Sequence, residues 1–475
     1  MAGPAAGRQL IGRTGPGRAA LDTLATVTAS GGSGTASEAV ERALRAVAAH
    51  EPVVHAWTHL DPERARREAR EIDARAVGSP SAAGSPSAAG SPSATGSPSA
   101  TGPRAGEDLP LRGLVLGVKD VFDTADQPTE CGTPIYTGRR PSADAAAVAL
   151  LRAAGATCLG KTVTAELAFL TPGPTTNPHR PTHTPGGSSM GSAAAVATGM
   201  ADIALGTQTA GSVIRPASFC GVYGFKPTFG SVSVAGVKLF APSLDTVGWF
   251  ARTPAALDRV RVALTGRPAG MPLASAPVIG VLRTEEWQSC APESRRAVED
   301  LAGSLTAHGA RVVEVPVPDY LDGLAAVQPL VMVYEAVRTL VWEERMHRDR
   351  LSEGLRAALD RGHATDPAEY DRVQARRREA TARLDGLFDT VDVLLTPAVV
   401  GEAPAGLDTT GDPRFARLWT MLGTPSAVVP VATGPTGLPV GAQLVGRVGD
   451  DARLLAVVAW LAERGIVPEP RLARP

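Results

Sequence analysis

Lysine is the scarce residue of this chain and the first to hold chemical interest. It occurs only at Lys119, Lys161, Lys226 and Lys238, among 47 basic residues that are otherwise Arg. A guanidinium stays charged inside a protein, whereas an amine taken out of water can lose its proton. Lys119 follows the apolar run LVLGV, where a desolvated amine is expected. Burial there would bring its pKa from about 10.4 towards ~7–8, a useful range for a general base. Serines among small residues occur in GGSS at Gly186–Ser189 and in GTQTAGS at Gly206–Ser212. A serine hydroxyl is a weak nucleophile and needs a base within hydrogen-bond reach. A second hydroxyl can relay the proton because it both donates and accepts. The small residues Ala210 and Gly211 would let backbone amides converge on a developing oxyanion. Taken singly, Lys119 also fits a strand-end lysine, Ser188 a loop residue and Ser212 a turn residue.

Two other motifs compete for the chemistry. Gly155 to Thr162 reads GATCLGKT and satisfies the GxxxxGK[ST] pattern of a phosphate-binding loop. That loop should follow a strand and open a helix; here Gly155 ends a helical pattern and Ala156–Leu159 reads as strand, so Gly155 fits a helix C-cap better. Gly187 to Gly191 reads GSSMG, a GxSxG nucleophile elbow centred on Ser189. An elbow needs a strand immediately before it, and the irregular PTHTPGG stands there instead. Its histidine would have to come from His308, His347 or His363, none in a suggestive setting. Lys161, Lys226 and Lys238 acquire no chemistry from their surroundings. His179 and His183 are separated by prolines that exclude a shared helical face, so a metal site there is not expected.

The elements that must position these groups alternate along the chain. Strand patterns at Leu111–Val118, Ala156–Gly160, Asp202–Thr209, Val278–Arg283, Arg311–Val317, Val393–Thr396, Ala427–Val431 and Val440–Val445 are interleaved with helical ones. The helical patterns are Pro62–Val77, Ala143–Ala154, Ser189–Ala201, Glu293–His308, Gly323–Arg348, Pro367–Phe388 and Asp451–Arg464. This predicts one large α/β/α layered domain, a central mixed β-sheet covered by helices on both faces. The hexad GSPSA[A/T], repeated four times from Gly78 to Thr101, has neither charge nor large apolar groups with which to order itself. The expected organisation is a helical N-terminal segment at 1–77 packing on the core, an inserted repeat at 78–103 and a core at 104–475. The first and last of these form one domain.

Composition bounds the function. With 475 residues, 44% of them hydrophobic, wholesale disorder is excluded. The net charge of −1 lacks the clustered basic excess of an electrostatic nucleic-acid or membrane-surface binder. Cys131, Cys158, Cys220 and Cys290 form no CxxC pair and read as reduced thiols of a cytoplasmic protein. The N-terminus has no apolar h-region of a signal peptide, and no run approaches the ~18 apolar residues of a membrane span.

The stretch from Gly186 to Thr228, GGSSMGSAAAVATGMADIALGTQTAGSVIRPASFCGVYGFKPT, together with LGVKD around Lys119, resembles the amidase signature family. VKDVFDTADQPTECGTPIY, ELAFLTPGPTTNPH, DVLLTPAV and GTPSAVVPVATGPTGLPVGAQLVGR extend the likeness from about Leu111 to the C-terminus. The resemblance implies a Ser-cisSer-Lys triad of Ser212, Ser188 and Lys119. Ser212 would be the nucleophile and Ser188 the bridging serine, with an oxyanion hole at the backbone amides of Thr209, Ala210, Gly211 and Ser212. It further implies hydrolysis of a small-molecule carboxylic amide through an acyl-enzyme without metal or cofactor, and a homo-oligomer, a dimer. The same triad also serves glutamine-dependent amidotransferase subunits that act with aminoacyl-tRNA; FLTPGPTTNPH looks more like the stand-alone amidases. Departures from the family are Met190, Gln208, Ala210 and the placement of Arg215, one residue off its usual register, while Pro216 keeps it. These positions flank the acyl pocket, so substrate preference does not carry over.

Overall fold

A computed structural model of the chain describes residues 34–77 and 109–473. The repeat at 78–103 and residues 1–33 lie outside the described residues. Eleven strands build one sheet: β1 (Trp57–Leu60), β2 (Val115–Lys119), β3 (Thr157–Thr162), β4 (Ile203–Gln208), β5 (Tyr223–Lys226), β6 (Thr246–Ala251), β7 (Val278–Leu282), β8 (Arg311–Val315), β9 (Val393–Pro397), β10 (Ser426–Thr433) and β11 (Pro439–Val445). Their order across the sheet is β1-β3-β2-β4-β6-β5-β10-β11-β9-β7-β8. β3, β2 and β4 run parallel, as do β9, β7 and β8; the remaining neighbours are antiparallel. The sheet is mixed, as the pattern predicts.

Away from the edge strands β1 and β8, both faces of the sheet are buried, which is why the inner strands read as continuous apolar runs. Leu116, Val118, Ile203, Leu205, Ala427 and Val429 share a core with Val148, Leu257 and Leu454 from the helices Ala146–Ala153, Pro254–Thr265 and Asp451–Glu463. The alternate residues Val115, Ala204 and Val428 pack on the other side with Ala193, Ala194, Ile214 and Ala217 from the helices Met190–Ala197 and Ile214–Cys220. This period-two alternation puts Lys119 on the same side as Val115, towards the small-residue helix Met190–Ala197.

Several elements differ from the sequence expectation. The pattern Gly323–Arg348 is two helices, Leu324–Thr339 and Val341–His347, broken at Leu340. The N-terminal segment is not wholly helical: between the helices Ala36–Val54 and Pro62–Val77, β1 pairs antiparallel with β3 at the edge of the sheet. The strands β5 and β6 and the helices Glu353–Ala364 and Arg414–Met421 carried no recognised pattern. Among the described residues, no single helix is long and apolar enough to cross a membrane.

Candidate active site

Three loop or strand ends converge above the parallel strands. β2 ends at Lys119, whose side chain is wholly buried. Its Nζ donates to Ser188 Oγ and to Thr207 Oγ1, each at 2.8 Å. Burial brings the Lys119 amine from 10.5 down to about 7; the nearby Asp245 carboxylate opposes that shift, and the Arg215 guanidinium adds to it. Asp245 is itself pushed up to about 6 by burial, against hydrogen bonds from Thr209 Oγ1 (2.5 Å), Phe240 N (2.6 Å) and Ala241 N (3.0 Å). Thr207, Thr209 and Asp245 also line a narrow cleft with Ala168, Val237 and Phe240.

Ser188 stands just before the helix Met190–Ala197, and the Gly187–Ser188 peptide bond is cis. The carbonyls on either side of that bond are both held. Arg215 Nη2 donates to Gly187 O at 2.5 Å and to Thr410 Oγ1 at 3.1 Å, while Ala165 N donates to Ser188 O at 3.1 Å. Gly186 has φ +79°, and a Cβ there would lie 2.8 Å from Pro216 Cα, so only glycine fits. Arg215, displaced by one residue in the sequence comparison, is therefore the buried brace of the Ser188 turn. Its Nε and Nη1 have no partner among the described residues.

The turn after β4 carries the remaining predicted residues. Ser212 is 7% exposed, and its hydroxyl has no hydrogen-bond partner among the described residues. The structure thus joins Lys119 to Ser188 and leaves the link from Ser188 to Ser212 open. None of the backbone amides of Thr209, Ala210, Gly211 and Ser212 donates to an acceptor among the described residues. Four consecutive free N–H groups beside a serine form a donor set suited to an oxyanion. Gln208 shapes the next turn: its Oε1 accepts from Val213 N (2.9 Å) and Ile214 N (3.1 Å), capping the helix Ile214–Cys220. A neutral amide does the capping where the family commonly has Asp. Met190 packs under Gly187, its Sδ accepting from Gly173 N at 3.2 Å.

The competing motifs take structural places. Gly155 follows the helix Ala146–Ala153 with φ +91°, and Thr157–Thr162 is the buried strand β3 rather than a phosphate loop. Ser189 Oγ donates to Thr207 O (3.2 Å) and accepts from Thr207 N (3.3 Å), so its hydroxyl is committed to backbone. His308 contacts Ser304 O, His363 contacts Glu344, and His347 meets Trp342 edge to face. Lys161 is buried against Asp120 Oδ1 (3.0 Å), Phe122 O, Pro128 O and Thr129 Oγ1. Lys226, which burial brings down to about 7, donates to Pro227 O and Thr424 O. Lys238 pairs with Glu343. His179 Nε2 lies 2.9 Å from Cys220 O, and His183 Nδ1 is 3.0 Å from Thr182 Oγ1.

Sequence reasoning missed Thr207, Asp245, Gln328 and Thr420. Thr207 lies inside the GTQTAGS motif and could have been found there, as the hydroxyl two residues before the free amides. Asp245 precedes an apolar strand in SLDTVGWF, a carboxylate in a buried setting. Gln328 and Thr420 sit on amphipathic helices of the C-terminal half and give no signal in sequence.

The model of the family described as Amidase matches residues 97–455. The chain belongs to the amidase family. It is an enzyme of the amidase type, a hydrolase acting on amide C–N bonds. A curated relative of this amidase is the A subunit of the glutamyl-tRNA(Gln) amidotransferase of Synechococcus sp. (strain WH7803), 32% identical over 93% of this chain and 96% of that protein. A solved structure from a vestigial protein complex bearing on the evolutionary origins of an s-triazine catabolic enzyme has a TM-score of 0.79 and 29% identity, covering 92% of this chain and 96% of its own. The peptide amidase of Stenotrophomonas maltophilia has a TM-score of 0.72 and 27% identity, covering 95% and 98% of the two chains.

Proposed function

We propose that this amidase hydrolyses a small-molecule carboxylic amide to a carboxylate and ammonia or an amine, through an acyl-enzyme on Ser212. The observation that carries the reading is the buried Lys119 amine, 2.8 Å from Ser188 Oγ and held at about 7. In its neutral form the amine has a lone pair for the Ser188 proton, and Ser188 in turn takes the proton of Ser212. Ser212 Oγ then bonds to the carbonyl carbon while the oxygen gathers negative charge against the free amides of 209–212. The same relay returns the proton to the leaving nitrogen as the C–N bond breaks. Water, deprotonated by the relay, then opens the ester to release the carboxylate and restore the Ser212 hydroxyl. The proposed steps involve protein side chains and water, with no metal or cofactor taking part. The Ser188-to-Ser212 link rests on the family resemblance.

The decisive measurement is ammonia release from a panel of aliphatic, aryl, ureido and amino-acid amides. The wild type should turn over at least one, and Lys119→Ala and Ser212→Ala should each lose at least ~10³-fold in kcat/KM. Near-native hydrolysis by either variant would sink the triad.

A second reading, a glutamine-dependent amidotransferase of which this chain is the A-type component, working with partner proteins and aminoacyl-tRNA, is favoured by the curated relative at 32% identity. The segment FLTPGPTTNPH and the near-neutral charge favour the stand-alone enzyme, a cytoplasmic homodimer needing no nucleic acid. The four free and buried thiols suit a reducing compartment. A purified homodimer with amide hydrolase activity of its own supports the first reading. Activity confined to glutamine, and only in the presence of a second protein, supports the other.

A further inference from the structure

An oxyanion hole made of backbone amides is only as good as the orientation of its peptide planes. In a trans peptide the C=O of one residue and the N–H of the next lie in one plane and point in opposite directions. Whatever grips a carbonyl therefore aims the following amide. In the turn after β4, three successive carbonyls are gripped. Thr209 O accepts from Gln328 Nε2 at 2.9 Å, which sets the plane carrying the Ala210 N–H. Ala210 O accepts from Thr420 Oγ1 at 2.9 Å, which sets the Gly211 N–H. Gly211 O accepts from Arg215 N at 3.0 Å, which sets the Ser212 N–H.

The third grip is local, the first turn of the helix that follows. The other two arrive from distant segments, the helix Leu324–Thr339 and the helix Arg414–Met421. Both side chains are buried. Thr420 is itself held in place, since its Oγ1 accepts from Gln208 Nε2 at 3.0 Å and shares its single proton between Ala210 O and Ala416 O. Pro413 and Ala416 press on Gly211 from the same side, where a Cβ would lie 2.9 Å from Pro413 Cβ. The carbonyls of Thr209 and Ala210 thus face the C-terminal helices, that of Gly211 faces the helix Ile214–Cys220, and the amides are left free.

We propose that Gln328 and Thr420 are positioning residues of the oxyanion hole, two helices of the C-terminal half holding the peptide planes that stabilise charge at Ser212. The proposal rests on the amidase reading above and adds to it residues that touch no reacting atom. Preorganised dipoles owe their effect to being fixed before charge develops, so loosening a plane should affect the transition state more than the bound substrate.

The test uses Thr420→Val, which replaces the hydroxyl by a methyl of similar shape, Thr420→Ser, which keeps it, and Gln328→Met, which keeps length without a donor. The full chain is assayed on the amide of the panel with fastest ammonia release, and with the aldehyde of the same acyl chain as a transition-state mimic that places an oxyanion at Ser212. Thr420→Val and Gln328→Met should each lose about 10–100-fold in kcat with KM within about twofold. Affinity for the aldehyde should weaken by a similar factor, and Thr420→Ser should return to within about threefold of wild type. A structural role alone would not move the aldehyde affinity in step with kcat. Folded Thr420→Val and Gln328→Met with unchanged kcat, or with reduced kcat and unchanged aldehyde affinity, would overturn the proposal. If Gln328→Met does not fold, the Thr420→Val and Thr420→Ser pair decides alone. Ser212→Ala runs alongside: inactive Ser212→Ala with unaffected Thr420→Val sinks only the positioning role, whereas active Ser212→Ala sinks the amidase reading and this inference with it.

Discussion

In the proposed mechanism Lys119 does work that no arginine could do, because its value there lies in being neutral. The amine accepts a proton only when it carries none, and burial holds its pKa at about 7. The pH profile of kcat/KM should therefore rise from acid and level off above about pH 7. Asp245 is the counterweight: its carboxylate favours the charged amine. Asp245→Asn should let the Lys119 pKa fall, moving the acid limb to lower pH. A limb that stays in place or moves to higher pH would show that the two groups are not coupled in this way. Ser189 is the residue-scale contrast, since both its hydrogen bonds go to the Thr207 backbone. Ser189→Ala should cost about 1–3 kcal/mol of stability, the price of leaving buried backbone groups unpaired, while folded enzyme keeps most of its activity. Urea unfolding beside an amide assay separates that outcome from the loss expected of Ser212→Ala.

At the scale of elements, small residues set how closely the serine turn approaches the sheet. The helix Met190–Ala197 is entirely buried, and a Cβ at Gly191 would lie 2.2 Å from Ala56 O and 2.5 Å from Val163 N, both backbone. Backbone cannot swing away, so Gly191→Ala should cost about 1–3 kcal/mol and displace the Ser188 turn, lowering kcat as well. Gly303, in the exposed middle of the helix Pro292–Ala307, would meet nothing within 4 Å; Gly303→Ala should stabilise by up to about 1 kcal/mol. Thermal unfolding of the two variants checks the contrast. The same helix shows why the sequence was readable where it was. GGSSMGSAAAVA admits almost no other packing than a tight one, and Lys119 after an apolar strand leaves its amine little choice but burial. β5 and β6 escaped notice because their glycines and aromatics break the two-residue alternation. β1 escaped because four residues inside a charged, helical neighbourhood present no pattern of their own. The grips of Gln328 and Thr420 on the oxyanion turn were illegible for a different reason. A side-chain hydrogen bond bridging 119 or 210 residues of chain leaves no periodicity behind.

At the scale of the molecule, the scarce lysines return as a stability term. Lys119 and Lys226 both have folded pKa values of about 7 against 10.5 for the free side chain. Below pH 7 each is protonated in the folded and unfolded chain alike, and the folded state bears the full cost of burying the charge. Between about 7 and 10.5 the folded chain has released these protons while the unfolded chain still holds them, so stability climbs with pH. The slope from each lysine approaches about 1.4 kcal/mol per pH unit. Cys131 and Cys290 act in the opposite sense, since burial raises them from 9.0 to about 12 and the folded chain keeps protons that the unfolded chain loses above 9. The rise should therefore be clearest between pH 7 and 9 and flatten beyond it. Lys226→Met removes one of the two amines, so the variant's stability slope should be shallower by about 1.4 kcal/mol per pH unit, while the acid limb of kcat/KM, assigned here to Lys119, stays where it was. Urea unfolding of both proteins at pH 6.5, 7.5 and 8.5 reads this directly. A wild type whose stability does not rise across that range would mean that the buried amines keep their protons, and the base assigned to Lys119 would lose its footing with them.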